Sequence, residues 1–289
     1  MIKSSIFLIL GLIFSLFSFG QNDYINYNLK SFQARKLNYE NKLDSAVLLY
    51  QQAFNLVDYV HIENLRAGQK LAEKIKNDSL LAFCKNRIED YSKDNNINTK
   101  YRSIIDSLSI EDQRVRRDNY GEAKYVYYES INDSTSNKES ADFIKAKELM
   151  MEWWAVDSIN MNTLLTLIKV NGFPSEKRVG KEAYGNAFII LLHFDKDEDN
   201  QILKPIIDKA LIEGDIEPSD YAWIIDRRLS WGRQRKDPYY YQMPIGAEIL
   251  SEGEVVEVNR RRKEIGLRKL FEGIEIKKDD MSISWKILY

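Results

Sequence analysis

The chain has 2 histidines and 1 cysteine, so chemistry that needs either can reside at very few positions. His193 ends the apolar run Leu191-Leu192 and precedes the acidic string Asp195-Lys196-Asp197-Glu198-Asp199. An imidazole beside carboxylates serves as a general base or a metal ligand. The plainer role is a helix C-terminal histidine that caps carbonyls and pairs with Asp195. Asp195, Asp197 and Asp199 also match the first acidic positions of a calcium loop, but Asn200 stands where the loop needs glycine and Ile206 where it needs a bidentate acid. That loop would lack its strongest anchor.

Asp226 and Arg227 lie in an otherwise apolar helical stretch, Tyr221-Ala222-Trp223-Ile224-Ile225. Charges there are costly unless paired, so they form a buried ion pair or a polar site opening to a cleft. Trp231-Gly232-Arg233-Gln234 ends that stretch, and Asp237-Pro238-Tyr239-Tyr240-Tyr241-Gln242 is an aromatic-rich loop. Such tyrosines bind a sugar, peptide or protein surface, or else cap the core. Upstream, Asp112-Gln113 and Arg116 open a helix with an acid near its positive end. Asn259-Arg260-Arg261-Arg262-Lys263 is a basic cluster, read either as a solvated face or as an anion site. The catalytic candidates are therefore His193, Asp226 and Arg227. The binding candidates are Asp112, Gln113, Arg116, Asp195, Gln234, Tyr239 and Gln242. No metal site is assigned and no cofactor is indicated. The chain has no glycine-flanked nucleophilic serine, P-loop, dinucleotide fingerprint or zinc helix.

The elements that must hold these residues read as helices. Glycine and proline are scarce, 13 and 5 in 289 residues, too few for the turns of a strand-rich fold. Leu43, Ala46, Val47, Tyr50, Ala53, Phe54 and Val57 recur at steps of three and four and form one apolar stripe. With Phe32, Ala34 and Leu37 before them, they resemble a tetratricopeptide repeat, two degenerate copies spanning 26–57 and 60–91. An ordinary antiparallel helical pair is the alternative. The polar stretch 93–100 reads as a linker and 132–140 as a surface loop. Helices follow over 143–154, 157–170, 181–194, 203–213 and 219–231, with Gly172 as a stop and Ser219 or Asp220 as an N-cap. Short connections imply an antiparallel bundle. Met281, Ile283, Trp285 and Ile287 alternate, as in a short edge strand or a docked extended tail. The expected fold is mainly α: tetratricopeptide-like hairpins over 21–92, then a helical domain over 101–289.

Residues 1–20 have the order of a cleaved secretory signal: Lys3, an apolar run from Ile6 to Phe19, and small Ser18 and Gly20 before Gln21. The run is short for a membrane span. Export to the periplasm or beyond is the expectation, with no membrane attachment after cleavage. The formal net charge of −2 argues against nucleic-acid binding, which needs a concentrated basic face. Cys84 alone cannot form an intramolecular disulfide, so packing must hold the fold. The 12% aromatic content supplies the apolar material for it.

In order along the chain, these segments resemble a widespread bacterial domain-of-unknown-function family, over residues 101–272. Asp112-Gln113 with Arg116 looks like its opening acid-glutamine-arginine motif. Asp157, Asn160 and Leu164, then Gly172-Phe173-Pro174 and Val179-Gly180, look like its second block. His193 and Asp195 look like its Gln-His-x-Asp block, and Asp226-Arg227 like its Asp-Arg pair. Gly232 with Gln234, Tyr239 with Gln242, and Arg261-Arg262 with Gly266-Leu267 look like its closing motifs. Leu192 replaces the glutamine before the histidine, and Tyr240 and Tyr241 replace Gly and Thr in the late motif. The resemblance implies a fold unit and a residue list, and no activity. Two functions are then expected in order of preference: an exported protein that binds a protein or small-molecule ligand, or an extracytoplasmic hydrolase, with or without a metal, using His193, Asp195 and Asp226.

Overall fold

The computed structural model describes residues 23–93, 97–117, 119–193, 201–230, 240–241, 250–279 and 282–288. The leader-like residues 1–20 lie outside this set. The fold is mainly α, with 12 helices among the described residues. No helix among them is long and apolar enough to cross a membrane. The chain groups into two compact units, one of residues 1–93 with 198–289, the other of residues 94–197.

The first unit begins with four helices: α1 (Asp23–Tyr39), α2 (Leu43–Phe54), α3 (Ile62–Ile75) and α4 (Asp78–Ser92). α1 packs on α2, and α3 on α4, as antiparallel hairpins. Asn41 and Lys76, both with positive φ, make the tight turns. Asn77 caps α4 by accepting the Leu80 N–H at 2.9 Å. Of the expected stripe, Ala46, Val47, Tyr50, Ala53 and Phe54 are buried, joined by Tyr27, Leu65, Leu71, Leu80 and Cys84. Small residues let these helices approach closely. A Cβ on Gly68 would sit 3.2 Å from both the Cys84 Sγ and the Phe54 ring, tighter than ordinary packing allows.

The same unit contains α10 (Leu203–Ile212), α11 (Pro218–Ser230) and α12 (Glu252–Glu264), then an antiparallel ribbon of β1 (Ile274–Asp279) and β2 (Ser282–Ile287). α11 starts at Pro218 itself, whose fixed φ suits a first helical position. Ser251 and Glu254 form a reciprocal capping box on α12. Two glycines bring these elements against α1. Gly214, at φ +69°, would drive a Cβ to 2.1 Å from the Tyr24 ring. Gly266, at φ +79°, lies against the Ile25 backbone. Lys36 of α1 also pairs with Glu272 at 2.8 Å.

The second unit holds α5 (Thr99–Arg114), α6 (Asn119–Asn132), α7 (Ala141–Asn171), α8 (Glu176–Val179) and α9 (Lys181–Leu192). α6 and α7 form a hairpin across the polar loop, with Ser140 capping α7 through the Phe143 N–H. Tyr127 stacks on Phe143 and meets Trp154 edge-on, closing that hairpin. The stretches 143–154 and 157–170 are one continuous helix, because no glycine or proline separates them. Its buried side is Phe143, Ala146, Met150, Asn160, Met161, Leu164 and Ile168. Ile144, Trp154 and Ile159, apolar residues of the same helix, are exposed. Gly172, at φ +81°, ends the helix as its position suggests.

Candidate functional site

Three helices of the second unit, with the chain just beyond two of them, bring polar residues together. α5 supplies Asp112 and Gln113 in its last turn, and the chain just beyond it supplies Arg116. α7 supplies Trp153, Asp157 and Asn160, and His193 follows the last residue of α9. Asp112 and Arg116 are four residues apart, the spacing that stacks side chains on one helix face. Asn160 pins α7 to α5 by donating to the Leu108 carbonyl at 3.0 Å. Asn186 of α9 donates to Asp106 of α5 at 2.9 Å. Both bonds hold the three helices in register around the cluster.

Asp112 is its centre. Its side chain is 1% exposed and takes contacts from three others. Gln113 Nε2 donates to Oδ2 at 2.8 Å. Arg116 Nη1 lies 3.0 Å from Oδ1, and His193 Nδ1 lies 3.1 Å from the same oxygen. An ionised carboxylate offers only acceptors, so Nδ1 is the donor, and in the neutral ring the lone pair then lies on Nε2. The helix end fixes the ring's base, since the His193 N–H reaches the Ile189 carbonyl at 3.1 Å. Arg116 also grips Asp157, with Nη2 to Oδ1 at 2.7 Å, and lies over the Trp153 ring. The guanidinium thus pairs with both carboxylates, Asp112 and Asp157. Burial raises the pKa of Asp157, and the Arg116 charge and hydrogen bond oppose that rise. Asp157 and His193 are each about one-fifth exposed. Asp112 is buried, while Asp157 and His193 keep part of their side chains exposed, so those two are the members of the cluster that a ligand group could reach.

Of the residues picked out from the sequence, this arrangement joins Asp112, Gln113, Arg116 and His193. Asp226 and Arg227 belong to the first unit, on α11. Asp226 is completely buried, and its carboxylate accepts the Tyr241 N–H at 2.8 Å. Arg262, 1% exposed, donates to the Tyr241 carbonyl at 2.6 Å and the Arg268 carbonyl at 2.7 Å. Burial lowers the Arg262 pKa to about 10, against the opposing pull of Asp226. These groups tie α11, α12 and the Tyr240–Tyr241 segment together. Arg261 lies 4.1 Å over the Tyr240 ring. Asp195, Gln234, Tyr239 and Gln242 lie outside the described residues, as do Asp197 and Asp199 of the calcium-like run.

The sequence points to Asp157 and Asn160 only through the family resemblance and does not single out Trp153. Asp157 and Asn160 share a signal: an acid and an amide at positions where a helix is otherwise apolar.

The model of a family of unknown function, DUF6624, matches residues 134–286. No curated protein matches the chain, and no solved structure does.

Proposed function

The chain belongs to the family of unknown function DUF6624, and on that premise we propose that it is an exported binding protein whose second unit recognises a small polar ligand at His193. The observation that carries this reading is the hydrogen bond from His193 Nδ1 to the buried Asp112, which orients the ring and leaves Nε2 for a partner. Arg116 and Gln113 satisfy the rest of the Asp112 carboxylate, so the imidazole is the group of this network best placed to meet a solute. The first two hairpins, with small residues at Ala34, Ala46, Gly68 and Ala72, support a tetratricopeptide-like reading and a surface for a protein partner. The leader-like residues 1–20 support export.

A second reading is favoured by the same contact. An aspartate that orients a histidine through Nδ1 prepares Nε2 as a general base, as hydrolysis requires. Ligand binding without turnover separates the two.

The test is a thermal-shift screen of the secreted chain against amino acids, sugars, short peptides and divalent cations. A ligand at a hundredfold excess over its Kd stabilises by about 2.7 kcal/mol, a shift of roughly 5–10 °C for a chain of this size. We expect one class to produce that shift and His193→Ala to abolish it, with the unliganded variant still folded and its melting temperature lowered only by the few degrees that one lost hydrogen bond costs. An unchanged ligand response in His193→Ala would remove the site. Detection of the product with Gln21 at its N-terminus outside the cytoplasm would support export, and retention of the intact leader inside the cell would refute it.

A further inference from the structure

We propose that the first unit carries a separate site for a small organic monocarboxylate, in a pocket between α1, the start of α3, the start of α11 and the turn after α12. The pocket has a volume of about 250 Å³. Ser31, Arg35, His61 and Asn64 form its polar wall, and Phe32 and Leu267 are among its apolar lining.

Several polar atoms of this wall have no partner. The Ser31 side chain is 2% exposed and its hydroxyl has no hydrogen-bond partner. His61 is 3% exposed and neither ring nitrogen has one. Its ring is held beside Tyr27 and against the edge of Tyr59. Arg35 is oriented by donating from Nη2 to Asn64 Oδ1, while its buried Nε has no partner. Asn64 is fixed in turn, because its Nδ2 donates to the Tyr27 hydroxyl at 2.7 Å. That hydroxyl also accepts the His61 backbone N–H at 3.0 Å. Leaving buried polar atoms unsatisfied is costly, and native structures rarely gather several in one place without a partner to fill it.

The chemistry of the partner follows from the donors. The guanidinium can only donate, and the hydroxyl and an imidazole N–H can donate beside it. An acceptor with two coplanar oxygens suits a guanidinium edge best. Among the described residues no carboxylate pairs with Arg35, so the charge that a ligand would neutralise is available. Glu217 limits that charge. It lines the same pocket, with a carboxylate oxygen within 4.8 Å of a His61 ring nitrogen. An acid so close repels a dicarboxylate or a phosphate dianion more than a monoanion. Phe32 and Leu267 then favour a short apolar body behind the carboxylate.

The pocket is tested by calorimetric titration of the secreted chain with butyrate and benzoate, and with succinate and inorganic phosphate as competing anions. Histidine ring NMR signals are followed in parallel. At least one monocarboxylate should bind saturably and shift the His61 signals, with succinate and phosphate at least about tenfold weaker. Ser31→Ala removes a hydroxyl that makes no hydrogen bond in the unliganded protein, so it should fold with an unchanged melting temperature and bind about 3–10-fold more weakly. Arg35→Gln should weaken binding about 10–100-fold. Should Arg35→Gln fail to fold, Ser31→Ala carries the test. His193→Ala should leave this binding intact, which separates failure of this site from failure of the other. Absence of binding by both monocarboxylates, equal binding of phosphate, or full affinity in Ser31→Ala would each overturn the proposal, leaving water as the occupant.

Discussion

Replacing Asp112 by asparagine keeps the shape of the side chain and removes the charge that Arg116, Gln113 and His193 share. Removing one partner of a buried ion pair typically costs about 3–5 kcal/mol, because the remaining charge is stranded. Here Arg116 is 14% exposed and keeps Asp157 at 2.7 Å, so it is not stranded. What is lost is nearer one charged hydrogen bond, about 1.5–3 kcal/mol, and the His193 contact, about 0.5–1.5 kcal/mol. The expected destabilisation is therefore about 2–4.5 kcal/mol. Urea unfolding at neutral pH, read as a shifted midpoint at constant slope, measures it. In a double-mutant cycle with Arg116→Met the losses should be non-additive, since the two side chains touch. A stability within about 0.5 kcal/mol of the parent, the ordinary range for surface changes, would refute the idea that Asp112 organises the cluster.

Three further outcomes are expected. Gly214→Ala combines a left-handed φ, about 1–2 kcal/mol, with a Cβ 2.1 Å from the Tyr24 ring, so calorimetry should show a loss of roughly 2–5 kcal/mol. Gly121→Ala, in open space within α6, should instead gain up to about 1 kcal/mol, and equal effects at both positions would contradict this packing. Burial pushes the Cys84 thiol up to about 12, so a thiol reagent at mildly alkaline pH should label it only when urea unfolds the protein, and rapid native labelling would place it elsewhere. Asp157 has a raised folded pKa, so its stabilising contribution is full below the unfolded carboxylate value and falls as pH rises through the folded value. The stability of the parent relative to Asp157→Asn should decline over that acidic window. A difference that grows with pH would show that Arg116, rather than burial, dominates.

Much of the local structure is legible in the residues. The stripe on α2 and the stop at Gly172 come straight from side-chain period and backbone freedom. The polar cluster is partly legible too, since His193 ends an apolar helix, but Asp112, expected to open a helix, lies in the last turn of α5 with Arg116 just beyond it. Asp157 is harder to read as their partner, because Arg116 lies 41 residues away and periodicity reports only the face of one helix. The same limit hides the first unit. Periodicity gives no sign that residues 198–289 group with 1–93, since the contacts of Gly214 and Gly266 with α1 join residues nearly two hundred or more apart. Nor does it separate the two histidines. His61 precedes an ordinary amphipathic helix, and only the neighbours Tyr27 and Asn64, folded against it, give it a setting.

The decisive measurement concerns the His193 ring. With only 2 histidines in the chain, long-range nitrogen–proton NMR spectra of the parent and of His61→Gln assign both rings. His193 should be protonated at Nδ1 and carry its lone pair at Nε2 in the neutral form, and Asp112→Asn should release that preference. A ligand recognised at this site should then move the Nε2 signal. An Nε2–H tautomer in the parent, or a ring indifferent to Asp112→Asn, would contradict the central role of the Asp112–His193 contact.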